Sequence, residues 1–184
     1  MSRTILSIAL ASGLAATLLA SAASANTGTI RFEGRLTNAT CEVLGGSEAF
    51  GPNFTVVLPT VSTAQLGIGE FAGRTRFPMK LQNCADVVGT VRAHFDAGAT
   101  VDANFRTLRP SNGGSVHFAL FDEDGTRLMI GEHPQAGGTP ATPLGTGYAA
   151  DDTMYYEVAY HRVGPAAPLA GDFFSTVTYS LQYD

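Results

Sequence analysis

The chain contains no tryptophan, one lysine (Lys80) and two cysteines, and charged residues make up only 15% of its 184 positions. With the arginines dispersed and a formal net charge of -5, no basic stripe is available to grip phosphates, so the sequence offers no nucleic-acid surface. No run beyond residue 25 is apolar for the ~20 residues a membrane-spanning helix needs. There is no G-x-S-x-G elbow, no phosphate-binding glycine loop beyond the lone pairs Gly45-Gly46 and Gly113-Gly114, and no placeable pair of catalytic carboxylates. His94, His117, His133 and His161 are scattered without an i,i+2 or i,i+4 pair, which argues against a copper or zinc centre. Asp122-Glu123-Asp124-Gly125 begins like a calcium loop, but the twelfth position is His133 instead of the bidentate Glu, so a polar hairpin tip is expected. Neither an enzyme nor a metal or other cofactor is indicated.

What is present begins with an export signal. Arg3 precedes an apolar stretch from Ile5 to Ala20, and Ala23-Ser24-Ala25 supplies an A-x-A cleavage site, so residues 1–25 are expected to be removed and Asn26 to become the first mature residue. Loss of Arg3 takes the net charge from -5 to -6, and 184 less 25 leaves 159 residues, enough for one domain with its own core. In an exported protein an even pair of cysteines predicts one disulfide, Cys41 to Cys84. Closing that 43-residue loop stabilises the fold by ~4 kcal/mol in the chain-entropy account.

Abundant Gly, Thr and Val with period-two alternation point to an all-β chain. Ile30, Phe32, Gly34 and Leu36 share one face opposite Arg31, Glu33 and Arg35. Further strands are expected over 39–44, 54–58, 74–84, 87–95, 116–121, 126–130 and 154–160, with a helical turn somewhere in 61–66. Pro78 argues that one side of its strand lies at an edge or bulge. Asp124-Gly125 makes 116–130 the clearest hairpin, 99–114 reads as loop-rich, and 131–153 as a long surface loop. Turn signals between short strands suggest a β-sandwich.

The last strand is the most informative. Gly171 stands fourteenth from the end, and Val177, Tyr179, Leu181 and Tyr183 alternate with Thr176, Thr178, Ser180 and Gln182. One apolar face marks a half-buried strand that wants a neighbour on each side, and nothing follows Asp184 to supply one. The missing neighbour is expected from another molecule.

Four segments together resemble the type 1 fimbrial protein family, the pilus subunits of the bacterial chaperone-usher pathway. They are residues 28–41 ending in Cys41, the Phe77 to Cys84 strand, the hairpin from Phe118 to Leu128, and the ending from Gly171 to Tyr183. The resemblance implies an incomplete immunoglobulin-like sandwich lacking its last strand, whose gap is filled first by a periplasmic chaperone and then by the N-terminal extension of the next subunit. On that basis 26–38 is the donor extension with Ile30, Phe32, Gly34 and Leu36 facing the groove, and 39–184 is the pilin domain. Gly171, Val177, Tyr179, Leu181 and Tyr183 belong to the acceptor and chaperone-binding strand. The implied partners are neighbouring pilins, the chaperone and an outer-membrane usher, and the implied destination is the cell-surface fimbrium. Rod subunit and minor or adaptor subunit both remain open, and the rival from another class is a self-complete secreted β-sandwich binding module.

Overall fold

The computed structural model describes residues 40–45, 51–85, 89–133, 142–143 and 153–183, together with Arg31, Gly34, Leu36 and Gln135. The signal segment, Ile30 and Phe32 therefore lie outside the described residues. Met1–Arg35 and Leu36–Asp184 separate into two units, and the fold below is that of the second.

Among the described residues nine strands form two sheets: β1 (Thr40–Gly45), β2 (Phe71–Ala85), β3 (Thr90–Phe95), β4 (Val101–Asp102), β5 (Thr107–Leu108), β6 (Val116–Phe121), β7 (Thr142–Pro143), β8 (Thr153–Arg162) and β9 (Tyr179–Tyr183). One sheet runs β1-β2-β8-β6-β5-β4 and the other β7-β3-β9, with every pair antiparallel. Inward residues alternate along each strand, as a pleated backbone requires. Phe77, Met79 and Leu81 of β2, Phe118 and Leu120 of β6, and Met154, Tyr156 and Val158 of β8 meet Val91, Ala93 and Phe95 of β3 in a single core. Two phenols, one buried and one half-buried, tie the sheets through main-chain groups: Ala93 N–H donates to Tyr156 Oη at 2.8 Å and Cys41 N–H to Tyr183 Oη at 2.9 Å. The disulfide Cys41–Cys84 joins the start of β1 to the end of β2.

Several expectations are refined. The helical turn is a single 3-10 turn, Thr63–Gln65, begun by Ser62, whose Oγ accepts from Ala64 N–H. Among the described residues the β1–β2 ladder runs to Gly45↔Met79, and Pro78, which has no N–H to give, is the next residue of β2. The hairpin at Asp122–Gly125 exists, with Asp122 N–H donating to Thr126 O at 3.0 Å, but its second arm is not a strand. It makes one bridge, Phe121↔Arg127, and then turns inward because Leu128 and Ile130 are buried in the core. The loop-rich 99–114 contains the small β4–β5 hairpin. Within 131–153, read as surface loop, Gln135 is buried with its Oε1 accepting from Phe95 N–H at 2.9 Å, and Thr142–Pro143 pairs with β3.

Candidate functional site

Among the described residues β9 closes its sheet with one neighbour, β3, from Phe95↔Tyr179 to Val91↔Tyr183. Ahead of it, 172–178 stays extended. The carbonyls of Phe174, Thr176 and Thr178 accept from Ser111 N–H (2.8 Å), Thr100 Oγ1 (2.6 Å) and Asp96 N–H (2.8 Å) respectively. Peptide groups alternate sides along an extended chain, so those of Phe173, Ser175 and Val177 point the other way, and among the described residues they have no hydrogen-bond partner. This is an unpaired edge about seven residues long in front of an edge strand.

Side chains follow the same alternation. Phe173, Ser175, Val177, Tyr179, Leu181 and Tyr183 are half-buried, whereas Phe174, Thr176, Thr178 and Ser180 are exposed. The structure thus brings Val177, Tyr179, Leu181 and Tyr183 together on one row against the core. Gly171 lies at the head of this segment, exposed, with φ +121°, a conformation L residues rarely adopt.

A second row faces the same core. Phe54, Val56 and Leu58 are half-buried while Asn53, Thr55 and Val57 are exposed, which is strand alternation, yet among the described residues 52–60 join no ladder. Phe54 packs on Phe77 with ring centroids 6.0 Å apart. The Tyr179 hydroxyl donates to Pro52 O at 3.0 Å, so the start of this row lies within a tyrosine's reach of β9 without pairing to it. Burial raises the pKa values of Tyr179 and Tyr183 above the ordinary phenol value, and the Cys41 N–H partly opposes this at Tyr183. Both hydroxyls therefore stay protonated. Sequence reasoning took 54–58 as a strand and missed it as a wall of the site; the signal was its period of two joined to the absence of an obvious hairpin partner.

Of the residues assigned to the extension, Gly34 is exposed with open space where a side chain would be, and Leu36 is 99% exposed. A leucine wholly in water gains nothing from its own domain.

The scattered histidines are closer in space than in sequence. His117 and His161 are directly opposite on β6 and β8, both buried on the outer face of the larger sheet. His117 Nδ1 is 2.9 Å from Thr107 Oγ1, and the His161 ring stacks on Phe71 at 4.4 Å. Burial pushes His161 down to about 4, helped by Arg127 and His117, and lowers His117 as well. Among the described residues no three His, Cys, Asp or Glu side chains are placed to hold a metal ion. At the hairpin tip, burial raises Asp122 to about 6, with Asp124 beside it adding to the shift.

The family model described as Fimbrial protein matches residues 30–184. The chain is 35% identical over 171 residues to the major fimbrial subunit SMF-1 of Stenotrophomonas maltophilia (strain K279a), covering 89% of this chain and 96% of that one. It is 31% identical over 180 residues to the F17 fimbrial protein of Escherichia coli, covering 93% and 95%. In fold it is similar to the P pilus rod subunit PapA, with a TM-score of 0.59 at 18% identity over 78% of this chain and 99% of that structure. With most of its length matched by the family model and by curated relatives across nearly their whole length, this chain belongs to the fimbrial protein family.

Proposed function

We propose that this chain is a non-catalytic structural subunit of a bacterial surface fimbria, exported through the periplasm and polymerised head to tail by donor-strand exchange to support adhesion. In this reading residues 26–38 of one copy insert between the Phe54–Leu58 row and the Phe173–Tyr183 row of the next. The observation that carries it is the pair of half-buried, alternating rows that share a core and lack a ladder between them. An inserted strand would take up the free peptide groups of Phe173, Ser175 and Val177. Ile30, Phe32 and Leu36 would each contribute ~1.5–3 kcal/mol by leaving water. Before assembly a periplasmic chaperone supplies the strand, and an outer-membrane usher passes the subunit on. Because such an interface does not close on itself, it yields a filament.

Leu181→Asp places a charge in the apolar row and Tyr183→Ser removes a ring from it. Co-expression with the pathway's chaperone should show periplasmic yield and chaperone co-purification falling sharply for both variants. A wild-type chain that accumulates as a soluble monomer without chaperone, with variants changed only in melting temperature, would mean a self-complete sandwich instead.

A further inference from the structure

We infer that Asn112 is a site of spontaneous modification, where cyclisation onto the Gly113 nitrogen converts it to aspartate and isoaspartate and loosens the segment that leads into β9. It is the one asparagine of the chain followed by glycine. Among the described residues Asn53, Asn83 and Asn104 precede Phe, Cys and Phe, whose side chains crowd the attacking nitrogen. Gly113 has open space where a side chain would be. Ser111, Asn112 and Gly113 are all exposed, so base and water reach the reacting atoms. Asn112 Oδ1 accepts from Gly114 N–H at 2.9 Å, which bends the side chain back along its own backbone and polarises its carbonyl toward attack. A turn bond from Gly113 N–H to Pro110 O, at 3.1 Å, holds the nucleophile's proton, and bonds in exposed turns open at little cost.

The conversion consumes water and releases ammonia, with nothing oxidised or reduced. Base removes the Gly113 amide proton, the nitrogen bonds to Asn112 Cγ, and the side-chain nitrogen leaves as ammonia, giving a cyclic succinimide. Water then breaks one of the ring's two carbon–nitrogen bonds to carbonyl carbon. Opening at Cγ leaves aspartate; opening at the main-chain carbonyl leaves isoaspartate, whose backbone runs through Cβ and is longer by one carbon. Ser111, the residue before, clasps the stretch ahead of β9: its N–H donates to Phe174 O at 2.8 Å and its Oγ accepts from Phe174 N–H at 3.1 Å. Lengthening the backbone at Asn112 shifts the turn that holds Ser111, and the clasp on Phe174 goes with it. The chemistry is independent of what residues 172–178 receive.

The test uses the mature chain purified from the periplasm in its native state, incubated at neutral and at mildly alkaline pH, with aspartate and isoaspartate distinguished by peptide mass spectrometry. Asn112 should react first, and faster at alkaline pH. Asn112→Gln, whose larger ring closes slowly, should leave position 112 unmodified. Amide exchange at Ser111 and Phe174 should be about tenfold faster in the isoaspartate fraction, as loss of the two clasping bonds requires. Asn112→Asp keeps an oxygen for Gly114 N–H and an ordinary backbone, so it should exchange like wild type. Earlier modification at Asn53, Asn83 or Asn104, or an Asn112 that stays intact in the native chain while it reacts in urea, overturns the site. Isoaspartate at position 112 with unchanged exchange at Phe174 overturns the coupling to the stretch ahead of β9.

Discussion

Two groups of side chains give this molecule opposing responses to acid. His161, at about 4, and His117 are held neutral by burial and release protons more readily folded than unfolded. Their contribution is complete above the unfolded histidine value of about 6.5 and is lost as pH falls through the folded values. Asp122, raised to about 6, behaves in the reverse sense: its contribution is complete below the usual carboxylate range and is lost as pH rises through 6. Between pH 4 and 6 the two trends offset one another in the wild type. Asp122→Asn keeps an oxygen for the Thr126 N–H, 2.8 Å away, and removes the titration, so its denaturation midpoint should fall more steeply than wild type on going from pH 7 to 4.5. His161→Phe preserves the stack on Phe71, loses no hydrogen bond from the buried, unpartnered Nδ1, and should flatten the acid loss. Parallel midpoint-against-pH curves for all three proteins would show that these groups do not set the dependence.

Strand alternation reports burial, and ladder pairing is a separate fact that one sequence does not hold. The odd row of 173–183 and the apolar row of 54–58 were legible because one face of each is greasy. The last strand's want of a neighbour was legible too, whereas that 54–58 joins no ladder among the described residues was not, since pairing depends on what the other strands have already taken. The same limit hid the His117–His161 juxtaposition, created by a β6–β8 pairing between residues 44 apart. It also hid the role of Gly45, which lies just past the strand expected over 39–44. In the structure Gly45 ends β1, buried, and a Cβ there would overlap the Phe54 ring. Gly45→Ala should therefore displace Phe54 from one wall of the acceptor and cost about 1–3 kcal/mol in denaturant unfolding, as overpacking does. An unchanged midpoint with undisturbed Phe54 resonances would show that the ring has somewhere else to go.

At the scale of the whole molecule, the proposed donor-strand exchange assigns folding and donating to different parts of the chain. The core draws on β1 to β6, β8, β9 and the two unpaired rows, and among the described residues before Val43 only Cys41 packs against it. Deleting Asn26 to Leu36 should then leave a subunit that folds and is captured by chaperone, yet caps growth because it accepts a strand and offers none. Circular dichroism of the chaperone-bound deletion and the length of filaments formed in its presence check both halves. A deleted chain that fails to fold with chaperone present would place the segment inside its own sandwich.

The position of the disulfide governs how such a filament bears tension. Force transmitted along the fibre would enter each subunit through the backbone just ahead of Thr40 and arrive at once at Cys41, which is covalently joined to Cys84 at the far end of β2. From there the load passes to a strand hydrogen-bonded to β8 over most of its length. The β1 hydrogen bonds beyond Cys41 are thereby spared, and a subunit pulled from its N-terminal side would not unzip strand by strand from that end. The sacrificial element becomes the contact between subunits, so a stretched filament would yield at its joints before its domains unravel.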